Sequence, residues 1–317
     1  MKLVNYRLGE SVRAACVVGE KVIDLNYAYI EWLKAEGQSR VEKVAEALVP
    51  ANTIEFIEGG EKSLEEANKA VKFVLENKIN DSKIVLHKSE VKIEAPILKP
   101  NKIVCVGHNY REHILEMKRE IPKFPVIFAK FNNAIIGPED DIPLAPITEQ
   151  LDYEAEFTFV IGKRAKNVSK EEALDYVAGY TIVNDVTARE LQRRTIQWLQ
   201  GKTLDGSAPM GPWLVTKDEI PNPHELEVVL TVNGEERQHS NTKNLVFNVN
   251  ELVEFLSNIM TLEPGDVVCT GTPGGVGVAR SPQSFLQDGD VVRIEIDKIG
   301  VLENKVKEVN GAVKVGQ

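Results

Sequence analysis

Three acids stand at alternate positions in the segment LDYEAEF: Asp152, Glu154 and Glu156. In an extended chain, residues two apart point to the same side. Glu154 and Glu156 therefore share a face, with Asp152 just before them. Tyr153, Ala155, Phe157, Phe159 and Ile161 form the opposite, apolar face, which suits a core. Carboxylates set side by side repel unless water screens them or a cation sits between them. Downstream, GYTIVNDVTARELQRR reads as a strand ending at Asp185 and then a helix, with Thr187 and Glu190 spaced as a capping box. Arg189 and Gln192 fall three apart near the start of that helix, on one face. Two strand glutamates and a strand-end aspartate offer three hard oxygen donors. Such a set suits Mg2+ or Mn2+ and not zinc, which prefers His and Cys.

A second group lies in CVGHNYREHILEM, read as a strand followed by a helical turn. His113 and Glu116 are three apart and share a helical face there. A carboxylate beside a histidine orients the imidazole, which suits a general base; the bland alternative is a surface His–Glu pair. Lys202, in the Gly- and Pro-bounded segment GKTLDGSAPMGP, can hold a carboxylate or enolate oxygen electrostatically, with Asp205 placed to orient it. Thr272, in the turn TGTPGGVG, offers a hydroxyl and nearby backbone N–H groups to an anion. His87, His224 and His239 sit in polar surroundings and read as surface residues.

The elements that must position these groups fall into two textures. Residues 1 to 97 read as a small α+β domain, with short strands (AACVVG, KVIDLN) and helical stretches such as SLEEANKAVKFVLENK, where Ser63 and Glu66 look like a capping box. Residues 98 to 317 contain many short strands, among them KIVCVG, PVIFAK, FTFVIG, YTIVND and VVRIEI. Helices are expected only over 170–176, 187–200 and 250–259. Asn233-Gly234 after LEVVLTV is a hairpin signal. The expected class is α+β, with a β-rich larger domain rather than a run of βαβ units.

The chain of 317 residues carries a formal net charge of −10, which argues against nucleic acid as the main partner. No stretch approaches a membrane span and no signal-peptide pattern opens the sequence, so no membrane partner is expected. Cys16, Cys105 and Cys269 each lie in an apolar run without CxxC spacing, which reads as buried strand thiols in a reducing cytoplasm. Gly201-Lys202-Thr203 is not a phosphate loop, because Ile196 stands where that motif needs glycine. The dinucleotide fingerprint, the inverted zinc-protease motif and the nucleophile elbow are also absent from the sequence.

Four ordered segments, LDYEAEFTFVIGK, GYTIVNDVTARELQ, GKTLDGSAPMGPWLV and TGTPGGVG, resemble the fumarylacetoacetate hydrolase family over residues 100 to 317. The resemblance implies a β-rich mixed roll, usually in homodimers, and an N-terminal unit similar to that of bacterial members acting on short 2-oxo acids. It implies Glu154, Glu156 and Asp185 as metal ligands, with Mg2+ or Mn2+ as cofactor. His113 and Glu116 match a pair that activates water from a mobile lid helix, and Lys202 matches an active-site lysine. Arg189 and Gln192 match substrate contacts, and Tyr110 is a candidate pocket residue. His108 stands where the family more often has another residue and receives no role. A 2-oxo acid that chelates the ion can form an enolate, and three outcomes share it: C–C hydrolysis of an acylpyruvate, loss of CO2 from oxaloacetate, and isomerisation of unsaturated dioic acids. The His/Glu pair favours hydrolysis, with decarboxylation next. A metabolite-binding relative without turnover is the reading from another class; the joint presence of ligands, pair and lysine argues against it.

Overall fold

The computed structural model describes residues 1–309, so the expected boundary at 317 lies outside the described residues. Alternating apolar side chains along Ala155–Ile161 pack two ways. Phe157, Phe159 and Ile161 enter one core, and Val160 enters another on the opposite face of the sheet. That strand lies within a sheet of 12 strands. On the first face a second sheet of five strands packs over it, contributing Val228, Leu230, Val292, Ile294 and Leu302. The helix Val249–Ile259 seals the same core with Val249, Leu252, Val253 and Leu256, spaced for one helical face. Asn248 and Glu251 cap its start reciprocally.

The other face is covered by the helices Leu25–Ala35, Val41–Leu48, Thr53–Glu58 and Gly60–Glu76. The strands Lys2–Leu8, Ser11–Val18 and Lys21–Asp24 extend the large sheet itself, because Lys2 and Leu3 pair with Val215 and Leu214. Sheet and core therefore run unbroken across residue 97. The fold is α+β and β-rich, as expected, and Asn233-Gly234 does turn a hairpin between Glu227–Val232 and Glu235–Asn241. The three cysteines are buried free thiols. His87 and His239 are exposed and His224 is half-buried. No described helix is long and apolar enough to cross a membrane.

Four local expectations need correction. Ser63 lies inside a helix that begins at Gly60, and Glu66 instead receives Tyr29, Lys62 and Lys69. The expected helix over 170–176 is a single 3-10 turn, Ala173–Tyr176. The long helix over 187–200 is broken into Arg189–Arg193 and Leu199–Lys202. The Thr187 hydroxyl donates to the Asp185 carbonyl, while Glu190 accepts from Thr148 and the amides of Glu149 and Gln150, so the two form no capping box. The break has a geometric reason: the second helix folds back onto the first. A Cβ on Gly201 would meet the Gln192 nitrogen at 2.4 Å and the Ala188 oxygen at 2.5 Å. Only glycine permits that approach, and the fold-back carries Lys202 under the sheet.

Candidate active site

Antiparallel register brings the acids together. Ala155 pairs with Asn184, so Glu154 and Asp185, one residue beyond each, face one another; the Asp185 amide donates to the Glu154 carbonyl at 2.9 Å. Glu154, Glu156 and Asp185 are all buried, and one carboxylate oxygen of each lies within 4.8 Å of the others. Oxygens on opposite sides of an octahedral Mg2+ stand about 4.2 Å apart, so this spacing fits one shared ion.

Buried cations surround the triad unevenly. Lys202 Nζ donates to Glu154 Oε2 at 2.7 Å and to Asp185 Oδ2 at 2.8 Å. Lys130 Nζ donates to Asp185 Oδ1 at 2.7 Å and to the Val186 carbonyl at 3.1 Å. Arg189 pairs with Asp152 through Nε at 2.8 Å and with Glu154 through Nη1 at 2.7 Å. Burial by itself would raise the Glu154 carboxyl, but the charges of Lys202 and Arg189 hold it well below the ordinary range. The same acids push Lys202 upward against the effect of its own burial.

Glu156 has no such partner. Its one donor among the described residues is the Gly271 amide, at 2.8 Å on Oε2. Burial, then Cys269 and the neighbouring Asp185 and Glu154, push its carboxyl far above the usual value. A divalent ion between the three carboxylates would supply the charge that Glu156 lacks, and the all-oxygen donor set fits Mg2+ or Mn2+.

The turn 270–277 does something other than expected. Its amides at Gly271, Gly275 and Gly277, with that of the next residue, Val278, are taken by Glu156, Glu116 and Asp152, so they position the acids rather than wait for a substrate. Gly271 has φ +97°, and a Cβ there would sit 2.7 Å from the Val106 carbonyl. Thr272 does line the cavity. Its hydroxyl accepts from Gln238 Nε2 at 2.8 Å, which leaves the hydroxyl proton to be donated into the cavity.

His113 Nδ1 lies 2.7 Å from Glu116 Oε1, and Glu116 Oε2 accepts from the Gly275 amide at 2.9 Å. An ionised Glu116 can only accept, so Nδ1 carries the proton and Nε2 keeps a free lone pair. The cavity itself encloses about 260 Å3. It is lined by Glu154, Glu156, His113 and Lys202, with Arg189 and Gln192 from the first short helix. The sequence thus places Glu154, Glu156, Asp185, His113, Glu116, Lys202, Arg189, Gln192 and Thr272 in or around one site.

Two expected residues stand apart. Asp205 is exposed and bonds Asn133 Nδ2 at 2.6 Å, while Lys202 is oriented by Glu154 and Asp185. Tyr110 is fully buried behind the cavity and does not line it. Sequence reading missed Lys130, whose one signal is a charge closing the apolar run VIFAK. It also missed Gln238, which carries no signal at all. Because Lys130 is buried against Asp185, Lys130→Met is expected to cost about 3–5 kcal/mol of stability, read by chemical denaturation without added metal.

Residues 102–307 match the fumarylacetoacetate hydrolase C-terminal family model. The chain belongs to the fumarylacetoacetate hydrolase family. Relatives of this family include the mitochondrial oxaloacetate tautomerase of Xenopus laevis, 45% identical over 260 residues, covering 81% of this chain and 79% of that one. Among solved structures, the fumarylacetoacetate hydrolase of Exiguobacterium antarcticum has a TM-score of 0.77 at 34% identity, covering 98% of this chain and all (100%) of its own. The maleylpyruvate hydrolase of Sphingobium sp. SYK-6, in complex with manganese(II) and pyruvate, has a TM-score of 0.73 at 27% identity, covering 97% and 99%. The acidic triad and the pair His113–Glu116 are therefore seen here in a family whose members are enzymes.

Proposed function

We propose that the chain is a divalent-cation-dependent enzyme that shifts a proton on short 2-oxo dicarboxylic acids, interconverting keto and enol forms of an oxaloacetate-type substrate. The observation that carries this reading is the His113–Glu116 pair beside a small cavity lined by Glu154 and Glu156 of the acidic triad and by Lys202 and Arg189. The oxaloacetate tautomerase relatives support the same substrate class. Mg2+ or Mn2+ held by Glu154, Glu156 and Asp185 would act as a Lewis acid on the carboxylate and keto oxygens of the substrate.

The protein's own groups do the rest. Glu116 keeps the His113 proton on Nδ1, so Nε2 can take a proton from carbon 3 of the keto acid. The C2–C3 double bond forms as the C2–O double bond opens, and the proton is returned to the carbon-2 oxygen. Nothing else is consumed. Lys202 and Arg189 hold the Glu154 carboxylate in place, and Lys202 adds positive charge where oxygen becomes negative. The Thr272 hydroxyl, which accepts from Gln238, is left free to donate to the bound acid.

C–C hydrolysis of an acylpyruvate, the reading the sequence favoured, is the second candidate. A base that takes a proton from carbon can equally take one from water, and the maleylpyruvate hydrolase neighbour supports it. One experiment separates them: ultraviolet decay of enol-oxaloacetate, and in parallel cleavage of acetylpyruvate, each with Mg2+ and with EDTA. Acceleration of enol decay by at least about 100-fold, abolished by EDTA, with acetylpyruvate intact, is the expected result. Rapid release of acetate and pyruvate without enol turnover overturns it in favour of hydrolysis.

A further inference from the structure

His108 occupies an unusual position on two independent grounds. It lies in the turn between the strand Ile103–Gly107 and the helix Arg111–Glu116, with φ +53°. A bulky side chain in the left-handed region carries a cost of about 1 kcal/mol or more. Both of its ring nitrogens, Nδ1 and Nε2, are also buried without any hydrogen-bond partner. Buried polar atoms left unpaired are themselves costly, so a residue that combines both features needs an explanation beyond folding.

The surroundings of the ring supply one. His108 lines the same cavity as His113, with ring centroids 6.1 Å apart and planes at 21°. Trp198 closes against its edge at 5.3 Å and 90°, so the ring is held rather than free to swing. Two sources of positive charge bear on it. Arg119 lines the cavity, is exposed, and makes no ion pair among the described residues. Lys202, held at the triad, is the second. Burial first, then Arg119 and His113, push the imidazole down to about 4, so it is neutral near pH 7 with one N–H to donate and one lone pair to accept. Glu154, Glu156, Lys202 and Thr272 line the cavity and serve a carboxylate and keto group. His108 and Arg119 line the same cavity, and neither side chain has a hydrogen-bond partner among the described residues.

Resting on the 2-oxo dicarboxylate reading above, we infer that His108, together with Arg119, receives the second carboxylate of the substrate and selects dicarboxylic over monocarboxylic 2-oxo acids. One imidazole N–H donates to that carboxylate, and the guanidinium of Arg119 supplies the opposing charge.

The test is binding, so that it does not depend on which reaction occurs. Calorimetric dissociation constants are measured for oxaloacetate and for pyruvate, both with Mn2+, on wild type, His108→Leu and His108→Asn. Asn tolerates the left-handed turn, so it keeps the comparison valid if the Leu variant folds poorly. The expected result is at least a tenfold weakening for oxaloacetate with pyruvate within threefold of wild type. Parallel weakening of both acids, or no change in either, overturns the assignment. The proton-transfer reading fails separately, if enol-oxaloacetate is not turned over while this selectivity shift is still seen.

Discussion

Glu156→Gln is expected to abolish divalent-ion binding and turnover while leaving the metal-free protein as stable as wild type, or slightly more so. Around the site, Asp152, Glu154 and Asp185 each touch a buried lysine or arginine, whereas Glu156 touches none among the described residues. Its charge is thus a cost in the absence of an ion, and the neutral amide removes that cost. Glutamine is nearly isosteric and can still accept from the Gly271 amide through its carbonyl oxygen. Linkage has the same sign. The folded-state carboxyl of Glu156 is raised, so its contribution to stability is present below the unfolded carboxylate value and is lost as pH rises through the folded one. In the variant that loss is absent. Glu154→Gln contrasts with it, because it leaves Lys202 paired with Asp185 alone and Arg189 with Asp152 alone, and should destabilise by about 1–3 kcal/mol. Thermal and denaturant unfolding of both variants without metal, beside Mn2+ titrations, check the pair. A Glu156→Gln protein that binds Mn2+ as tightly as wild type would remove the triad from the mechanism.

His113→Ala is expected to lower kcat by about 100- to 10,000-fold with divalent-ion affinity unchanged. The imidazole is tied to Glu116 and lines the cavity, but His113 is not one of the residues whose ligand atoms gather at the triad. Its helix, Arg111–Glu116, is six residues long, and only His113 and Ile114 of it are buried. Little of the core depends on the ring, so the folded state should survive. Steady-state kinetics and Mn2+ titration on the same preparation decide the point. Equal losses in rate and in ion affinity would make His113 a ligand rather than a base.

The functional centre was unusually legible because its chemistry sits in short segments. Alternation along Ala155–Ile161 is enough to place Glu154 and Glu156 on one face, and i to i+3 spacing on a helical turn is enough to join His113 to Glu116. The residues that escaped notice are those placed by sheet register over long separations. Lys130 reaches Asp185 from a strand 55 positions earlier, and Gln238 reaches Thr272 from a hairpin in the second sheet 34 positions away. Helical periodicity misled at 187–200, because the need to bring Lys202 back against Glu154 and Asp185 outweighs the local preference to continue one helix. Asp205 misled for a related reason: nearness in sequence to Lys202 is no guide once Gly206 turns the chain at φ +68° and Asp205 faces Asn133.

Crystals of the protein grown or soaked with Mn2+ and measured at the manganese absorption edge bear most directly on the site. One anomalous peak per chain, within about 2.3 Å of an oxygen from each of Glu154, Glu156 and Asp185, is the expected outcome. A manganese ion bound elsewhere, or a triad that stays ion-free at saturating Mn2+, would contradict it.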